Sequence, residues 1–140
     1  MKKKTTKKTK SETAYMLRTC DKSMTSHNGF RWPEKGPVEC QDWDPKPECG
    51  HGLHGLLRGE GDGSLLCWDK DARWLVVEVV LADVVDIGGK IKVPRGVVVY
   101  CGDQGGAVGV IATKHPGSAC VGSAVSAGDN GQATAGNYGQ

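Results

Sequence analysis

The chain has 140 residues, about the size of one domain. Its net charge of +2 conceals an asymmetry: the first ten residues, MKKKTTKKTK, carry six lysines and no acid, so residues 11–140 hold 12 basic and 16 acidic side chains, a net charge of −4. No apolar stretch approaches the roughly 18 residues of a membrane span, and no apolar segment of a secretory signal follows the lysines. We therefore expect a cytoplasmic protein without a membrane span.

The lysine-rich start cannot bury apolar surface, so residues 1–14 are predicted to be a disordered basic tail. One interpretation is weak contact with nucleic acid or another anionic surface, since lysines that neutralise phosphates release counterions. The alternative is a solvated tail that only aids solubility. The lysines concerned are Lys2, Lys3, Lys4, Lys7, Lys8 and Lys10.

Six cysteines are present, but no C-x-x-C pair occurs. Without an export signal we expect reduced thiols rather than disulfides. The strong spacings of zinc fingers and of thioredoxin-like sites are absent.

The first predicted strand is YMLRTC, residues 15–20, in which Tyr15, Leu17 and Thr19 alternate with Met16, Arg18 and Cys20. Asn28 and Gly29 indicate a chain reversal. Residues 31–52 hold four prolines and several glycines, which predicts a long irregular loop, and loops of that length are commonly functional.

Residues 53–58 are predicted to form one short helical turn. Residues 75–81, LVVEVVL, form a nearly continuous apolar run that predicts a central strand covered on both faces. Gly88 and Gly89 suit a turn. Further strands are predicted at residues 90–93 and 96–101, followed by a short helix with Asp103 as its N-cap. Together these elements predict an α+β domain over residues 15–113, with a small, mostly antiparallel sheet and few short helices.

Residues 114–140 begin an octapeptide repeat, which written from Pro116 reads PGSACVGS, AVSAGDNG, QATAGNYG. The third position is always Ser or Thr and the fourth always Ala. A fixed period of this kind predicts a repeat array, here a Gly/Ala-rich β-solenoid, and the alternative is a flexible linker. Three short copies cannot bury a core by themselves, so we expect more copies in a longer protein.

These octads resemble those of bacterial ice-nucleation proteins in the pattern A-G-x-x-x-x-x-T, seen from Ala127 and Gly128 to Thr134. In that family, tandem coils build a solenoid that orders water. The resemblance covers under a fifth of the chain.

The segment PECGHGLHG places Cys49, His51 and His54 within six residues. It permits three interpretations: a metal site with these three side chains as ligands, a Cys49 nucleophile assisted by a histidine, or a structural turn. In the structural interpretation the glycines shape a tight turn, Leu53 and Leu56 reach the core, and His54 hydrogen-bonds the loop.

The span from Tyr15 to about Ala112 resembles an uncharacterised domain family of bacteria and their phages. The resemblance is carried by DKSMTSHNGFRWPEKGPV, DWDPKPECGHGLHG and the segment from WLVVEV to GVVVYCGD. A C-x-x-G-[LF]-H motif is typical of that family and is matched here by Cys49, Gly52, Leu53 and His54. The resemblance implies no established activity or cofactor, and it leaves His51 outside the motif.

A looser similarity is to ADP-ribosyltransferase-type folds, through CGHGLHG and GVVVYCGD. This chain has His54 where those folds carry an aromatic residue, and it has no glutamate at a recognisable catalytic motif. Glu78, in the middle of a predicted strand, is the nearest candidate.

The order of a domain followed by repeats leads us to expect a non-enzymatic N-terminal cap or adaptor of a repeat-bearing structural protein, without a cofactor. Its partners would be its own downstream repeats or other copies of the protein. The alternative is a small ligand-binding or ADP-ribosyltransferase-like domain that uses the loop of residues 43–54. The candidate ligand-binding side chains are Trp43, Cys49, His54 and Glu78.

Overall fold

The structure is a computed structural model that describes residues 12–25 and 30–122. The six lysines of the tail, the predicted reversal at Asn28 and Gly29, and the second and third octads lie outside the described residues. The predicted β-solenoid therefore stays a prediction.

The described residues fold around one seven-stranded sheet in which every pair of neighbouring strands is antiparallel. The strand order across the sheet is β2-β7-β4-β1-β3-β6-β5. The strands are β1 (Thr13–Cys20), β2 (Gly36–Glu39), β3 (Leu53–Leu57), β4 (Arg73–Val80), β5 (Val85–Asp86), β6 (Ile91–Val93) and β7 (Arg95–Gly102).

Strands β1 and β4 form the centre of the sheet, paired from Thr13 with Val80 to Cys20 with Arg73. Side chains on successive positions of a strand point to opposite faces, so a strand that is apolar throughout must be covered on both. Leu75, Val76 and Val77 are each 0% exposed. The predicted central strand is thus confirmed, with bounds shifted by one or two residues.

Helix α1 (Gln104–Lys114) covers one face of the sheet. Its N-cap is Asp103, whose carboxylate accepts a hydrogen bond from the Gly106 N–H at 2.8 Å, as predicted from the sequence. Ala107 and Ile111 are the buried positions of α1 and pack with Leu17 and Val76. No helix among the described residues is long and apolar enough to cross a membrane.

In the part of the chain that the structure describes, loops and not a helix cover the opposite face. Met24 and Trp32, which precede β2, are buried against Met16, Leu75 and other strand residues, with Phe30 and Cys40 partly buried beside them. This arrangement places the long loop between β2 and β3 next to the core, and it positions the candidate site.

The predicted, mostly antiparallel sheet is confirmed, but the predicted type of one element is wrong. Residues 53–58 were expected to form a helical turn, whereas Leu53–Leu57 is strand β3, paired with β1 on one side and β6 on the other. The short edge strands β2 and β5 were not predicted. Besides α1, the described residues contain two short 3-10 turns, Gly63–Leu65 and Leu81–Asp83.

Candidate functional site

A cleft of about 480 Å³ lies between the end of β1, strand β3 and the loops that precede β2 and β3. Its wall includes the aromatic side chains of Phe30 and Trp32 and the segment from Cys49 to Leu56. The cleft therefore contains the motif residues Cys49, Gly52 and His54.

The motif loop is closed by a hydrogen bond from the backbone N–H of Gly50 to Nε2 of His54, at 3.0 Å. Because Nε2 accepts this bond, His54 carries no proton on that nitrogen here. The carbonyl of Gly50 accepts a bond from Nζ of Lys92 at 3.0 Å. Lys92 is completely buried on β6, and its ammonium lies 5.5 Å from the centre of the Trp43 ring.

Two glycines of this loop are required by its geometry. Gly50 has a φ of +104°, a conformation that side chains disfavour. A Cβ on Gly52 would lie 2.9 Å from Cδ of Lys92 and 3.0 Å from Cζ3 of Trp43, so the buried lysine and the indole leave no room for it. Leu53 and Leu56 are 3% and 1% exposed. The glycines, the two buried leucines and the bond of His54 are arranged as the structural interpretation describes, while a ligand-binding role of Cys49 and His54 stays a prediction.

The second half of the cleft wall joins a thiol, a carboxylate and an imidazole. Asp42 accepts from Sγ of Cys40 at 3.1 Å and bonds Nδ1 of His51 at 2.7 Å. These two bonds hold the pKa of Asp42 below its ordinary value, while burial, assisted by the bond to Asp42, raises the pKa of the Cys40 thiol. The carboxylate therefore serves as an acceptor between two donors.

Cys49 is exposed at the cleft, and Nζ of Lys90 lies 3.4 Å from its sulfur. Within residues 12–25 and 30–122, no group of three or more His, Cys, Asp or Glu side chains has the geometry of a metal site. Of the three metal candidates, His51 is bonded to Asp42 and His54 to Gly50.

The four predicted ligand-binding residues do not converge on one point. Cys49 and His54 line the cleft, while Trp43 lies over Lys92 behind the motif loop. Glu78 is on β4, where it accepts from the Thr13 hydroxyl at 3.0 Å and lines a separate, shallow groove with Val97. Whether any of them binds a ligand stays a prediction.

Arg18 is a cleft residue that the sequence reasoning did not select. Its Nη1 donates to the carbonyl of His54 at 3.0 Å, and its guanidinium lies 4.5 Å from the centre of the Trp32 ring. Burial lowers the pKa of the Arg18 guanidinium. A signal was available: Arg18 alternates with Met16 and Cys20, both buried, so a charge occupies the apolar side of β1.

A second feature is the segment of residues 115–122, which packs against the turn that follows β3. The Ser118 hydroxyl donates to the Arg58 carbonyl at 2.6 Å, and the Ala119 N–H donates to a Glu60 carboxylate oxygen at 3.1 Å. The Val121 N–H donates to the Gly59 carbonyl at 2.7 Å. Residues 116–122 are the first seven positions of the first predicted octad, so this part of the predicted repeat is docked on the domain.

Comparison with known families assigns most of the chain to a domain family. Residues 14–112 match the model of a family described as a domain of unknown function (DUF7666). The chain belongs to this family. The match covers nearly the same span as the resemblance found from the sequence motifs, while the status of C-x-x-G-[LF]-H as a family motif stays a prediction.

Curated relatives of this DUF7666 chain are named ice nucleation proteins. It is 40% identical over 111 residues to one of Pseudomonas fluorescens, covering 76% of this chain and 9% of the relative. This chain is also 42% identical over 102 residues to an ice nucleation protein of Xanthomonas campestris pv. translucens. That match covers 71% of this chain and 6% of the relative. No solved structure matches it significantly.

The length of these matches shows what part of the chain is shared. Residues 116–140 hold the octads, so alignments of 102 and 111 residues must include most of the DUF7666 body. The chain spans less than a tenth of the length of the relatives it matches.

Proposed function

We propose that the DUF7666 body is a non-enzymatic cap or adaptor that precedes the octads of a structural repeat protein. The names of its relatives, ice nucleation proteins, suggest a repeat protein of this kind. The support from similarity is the 40–42% identity over alignments long enough to include most of the body. The support from the structure is the docking of residues 116–122.

A cap has a physical task. The first coil of a solenoid exposes backbone and small side chains that have no preceding coil to pack on, and such ends promote association between chains. A body that binds the first octad removes that exposed end.

The docked segment uses both its backbone and its octad side chains. Ser118, at the third position, and Ala119, at the fourth, bond the body through the Arg58 carbonyl and the Glu60 carboxylate. At the fifth position Cys120 is 8% exposed, and burial raises the pKa of its thiol to about 11. A Cβ on Gly59 would overlap the Cys120 sulfur, so the turn is shaped for this side chain.

The other end of the docked segment is held by α1. Nε2 of Gln104 donates to the Gly122 carbonyl at 2.8 Å. Gly122 therefore contacts the same helix that covers the sheet, and the first octad is held by two elements of the body.

The test joins residues 1–123, which complete the first octad, to an array of octads copied from residues 124–139, with more than the three or so repeats that a stable array needs. We expect the joined protein to be monomeric and to melt at a higher temperature than the array alone, measured by light scattering and circular dichroism. Glu60→Ala should reduce this rise in melting temperature, because it removes the acceptor of the Ala119 N–H and the second, longer contact of the Ser118 hydroxyl. The matched control is Glu39→Ala, which removes an exposed carboxylate from edge strand β2.

Equal solubility, oligomeric state and melting temperature of the array with and without residues 1–123 would disprove the cap. If the Glu60→Ala and Glu39→Ala proteins raise the melting temperature of the array equally, the bonds of the docked segment to Glu60 do not cause the stabilisation.

A further inference from the structure

The cleft contains a cation whose charge is not balanced by any described carboxylate. Arg18 is partly buried, and none of the ion pairs among residues 12–25 and 30–122 includes it. The titratable group that acts on it electrostatically is the Cys20 thiol, which is itself buried and has a raised pKa. A buried charge is unfavourable unless a counter-charge or hydrogen bonds compensate it.

The compensation that the protein supplies is partial. A guanidinium has five N–H donors. Nε of Arg18 donates to the Thr19 carbonyl at 3.3 Å and Nη1 donates to the His54 carbonyl at 3.0 Å. The guanidinium also hydrogen-bonds the Cys20 side chain, and the ring of Trp32 lies against the cation. These bonds fix the orientation of the guanidinium and leave donors for a planar oxyanion, which is the group that arginine binds with two parallel hydrogen bonds.

The surroundings favour an anion with an apolar body. Among the cleft residues that the structure describes, the charged groups besides Arg18 are Lys90 and Asp42, and Asp42 is occupied by Cys40 and His51. Aromatic and aliphatic side chains form much of the remaining wall: Phe30, Trp32, Leu53, Leu56, Leu65 and Leu66. A volume of about 480 Å³ is in the range of small-molecule sites.

We propose that this cleft binds a small molecule that carries a carboxylate or phosphate group on an aromatic or apolar body. Arg18 binds the oxyanion, Lys90 adds positive charge at the rim, and the apolar wall receives the body of the ligand. The site is independent of the docked octad, so it neither requires nor excludes the cap function.

The competing explanation is that Arg18 only anchors Trp32 and β3. A structural anchor would change stability when replaced, but it would not respond to an added anion. The readout must therefore be ligand binding itself.

The experiment titrates the full chain with phenyl phosphate, benzoate and inorganic phosphate, by calorimetry and by the NMR signal of the Arg18 Nε–H. We expect phenyl phosphate or benzoate to bind more tightly than inorganic phosphate, with a shift of the Arg18 signal, and the stronger of the two identifies the oxyanion class. Arg18→Lys should weaken binding at least tenfold because the two-donor fork is lost, and Lys90→Gln should weaken it severalfold. Arg31→Lys, an exposed arginine outside the cleft wall, should change nothing.

The proposal is wrong if no probe shifts the Arg18 signal of the unaltered protein at millimolar concentration. It is also wrong if Arg18→Lys and Lys90→Gln bind as the unaltered protein does. If Arg18→Lys fails to fold, the Arg18 signal of the unaltered protein and the Lys90→Gln titration still decide the question.

Discussion

The bond between Gly50 and His54 is the contact on which the motif loop depends. It satisfies a backbone donor that the tight turn would otherwise leave without a protein acceptor. The neighbouring carbonyl of Gly50 is satisfied by the buried Lys92. At this position the imidazole therefore has a structural task.

Replacing His54 by Leu should lower the free energy of unfolding by about 1–2 kcal/mol, because the Gly50 N–H loses its acceptor. His54→Gln should recover part of the loss, since its side-chain oxygen can reach a similar position. Urea denaturation of both variants measures the effect. The control is His51→Leu, which removes only an exposed pair with Asp42 and should change stability by less than about 0.5 kcal/mol. Equal losses for the His54→Leu and His51→Leu proteins would contradict this account.

The residue-level prediction succeeded where the chemistry is local. The glycines, His54 and the two leucines of GHGLHGL, residues 50–56, led to an interpretation as a turn with a bonded histidine and buried leucines, and the structure has these contacts. The alternation of Arg18 with Met16 and Cys20 signals a charge on the apolar side of β1, but it does not reveal that Arg18 bonds His54, 36 residues away. The role of Lys92 also depends on a partner distant in sequence, since it reaches Gly50 from β6, 42 residues away.

Helix α1 shows how glycine content and packing interact within one element. A Cβ on Gly105 or Gly109 would meet nothing within 4 Å, whereas one on Gly106 would overlap the Tyr100 hydroxyl. Tyr100 itself bonds Asp103, the N-cap of the helix, so Gly106 is required by the cap and the other two glycines are not.

Gly109→Ala should therefore raise the free energy of unfolding by about 0.5–1 kcal/mol, the usual difference between the two residues inside a helix. Gly106→Ala should lower it, because the added methyl group displaces Tyr100 from the cap. Thermal and urea denaturation of the two variants provide the comparison. A gain from Gly106→Ala similar to that from Gly109→Ala would show that the Tyr100 contact does not constrain the helix.

Whether a segment forms a helix or a strand could be predicted where its sequence pattern is continuous. It could not be predicted where pairing with distant strands determines the secondary structure. The apolar run of β4 and the Asp103 cap are local signals, and both predictions were correct. In β3 the sequence LHGLL is compatible with a helical turn, but its backbone bonds go to β1 and β6. Gly55 lies directly against Met16 of β1, a contact that no local pattern reveals.

His115 joins the two ends of the described fold. Its Nε2 accepts the Tyr15 N–H at 3.0 Å across 100 residues, which connects the end of α1 to strand β1. Burial lowers the pKa of this imidazole, and the nearby Arg58 and Lys114 cations act in the same direction. The folded protein therefore favours neutral His115.

Stability should decrease when the pH falls below the ordinary histidine value of about 6.5. Below that pH the imidazole of residue 115 binds a proton more readily in the unfolded chain than in the folded one. The free energy of unfolding therefore rises with pH in this range, and the stability contributed by neutral His115 is lost as the solution is acidified. Urea denaturation between pH 7.5 and 5 should show a smaller decrease for His115→Gln than for the unaltered protein. Parallel curves for the two proteins would refute the assignment. The lowered pKa values of Asp42 and Asp103 affect stability only at more acidic pH.

The buried Cys120 has a consequence for the octads that follow it. Later octads have glycine at the fifth position, Gly128 and Gly136, where the first has Cys120. Only the first copy therefore carries the side chain that fits over Gly59. If the body caps an array, this one thiol sets the phase of the whole series, and inserting one residue before Cys120 would offset every later octad by an eighth of its period.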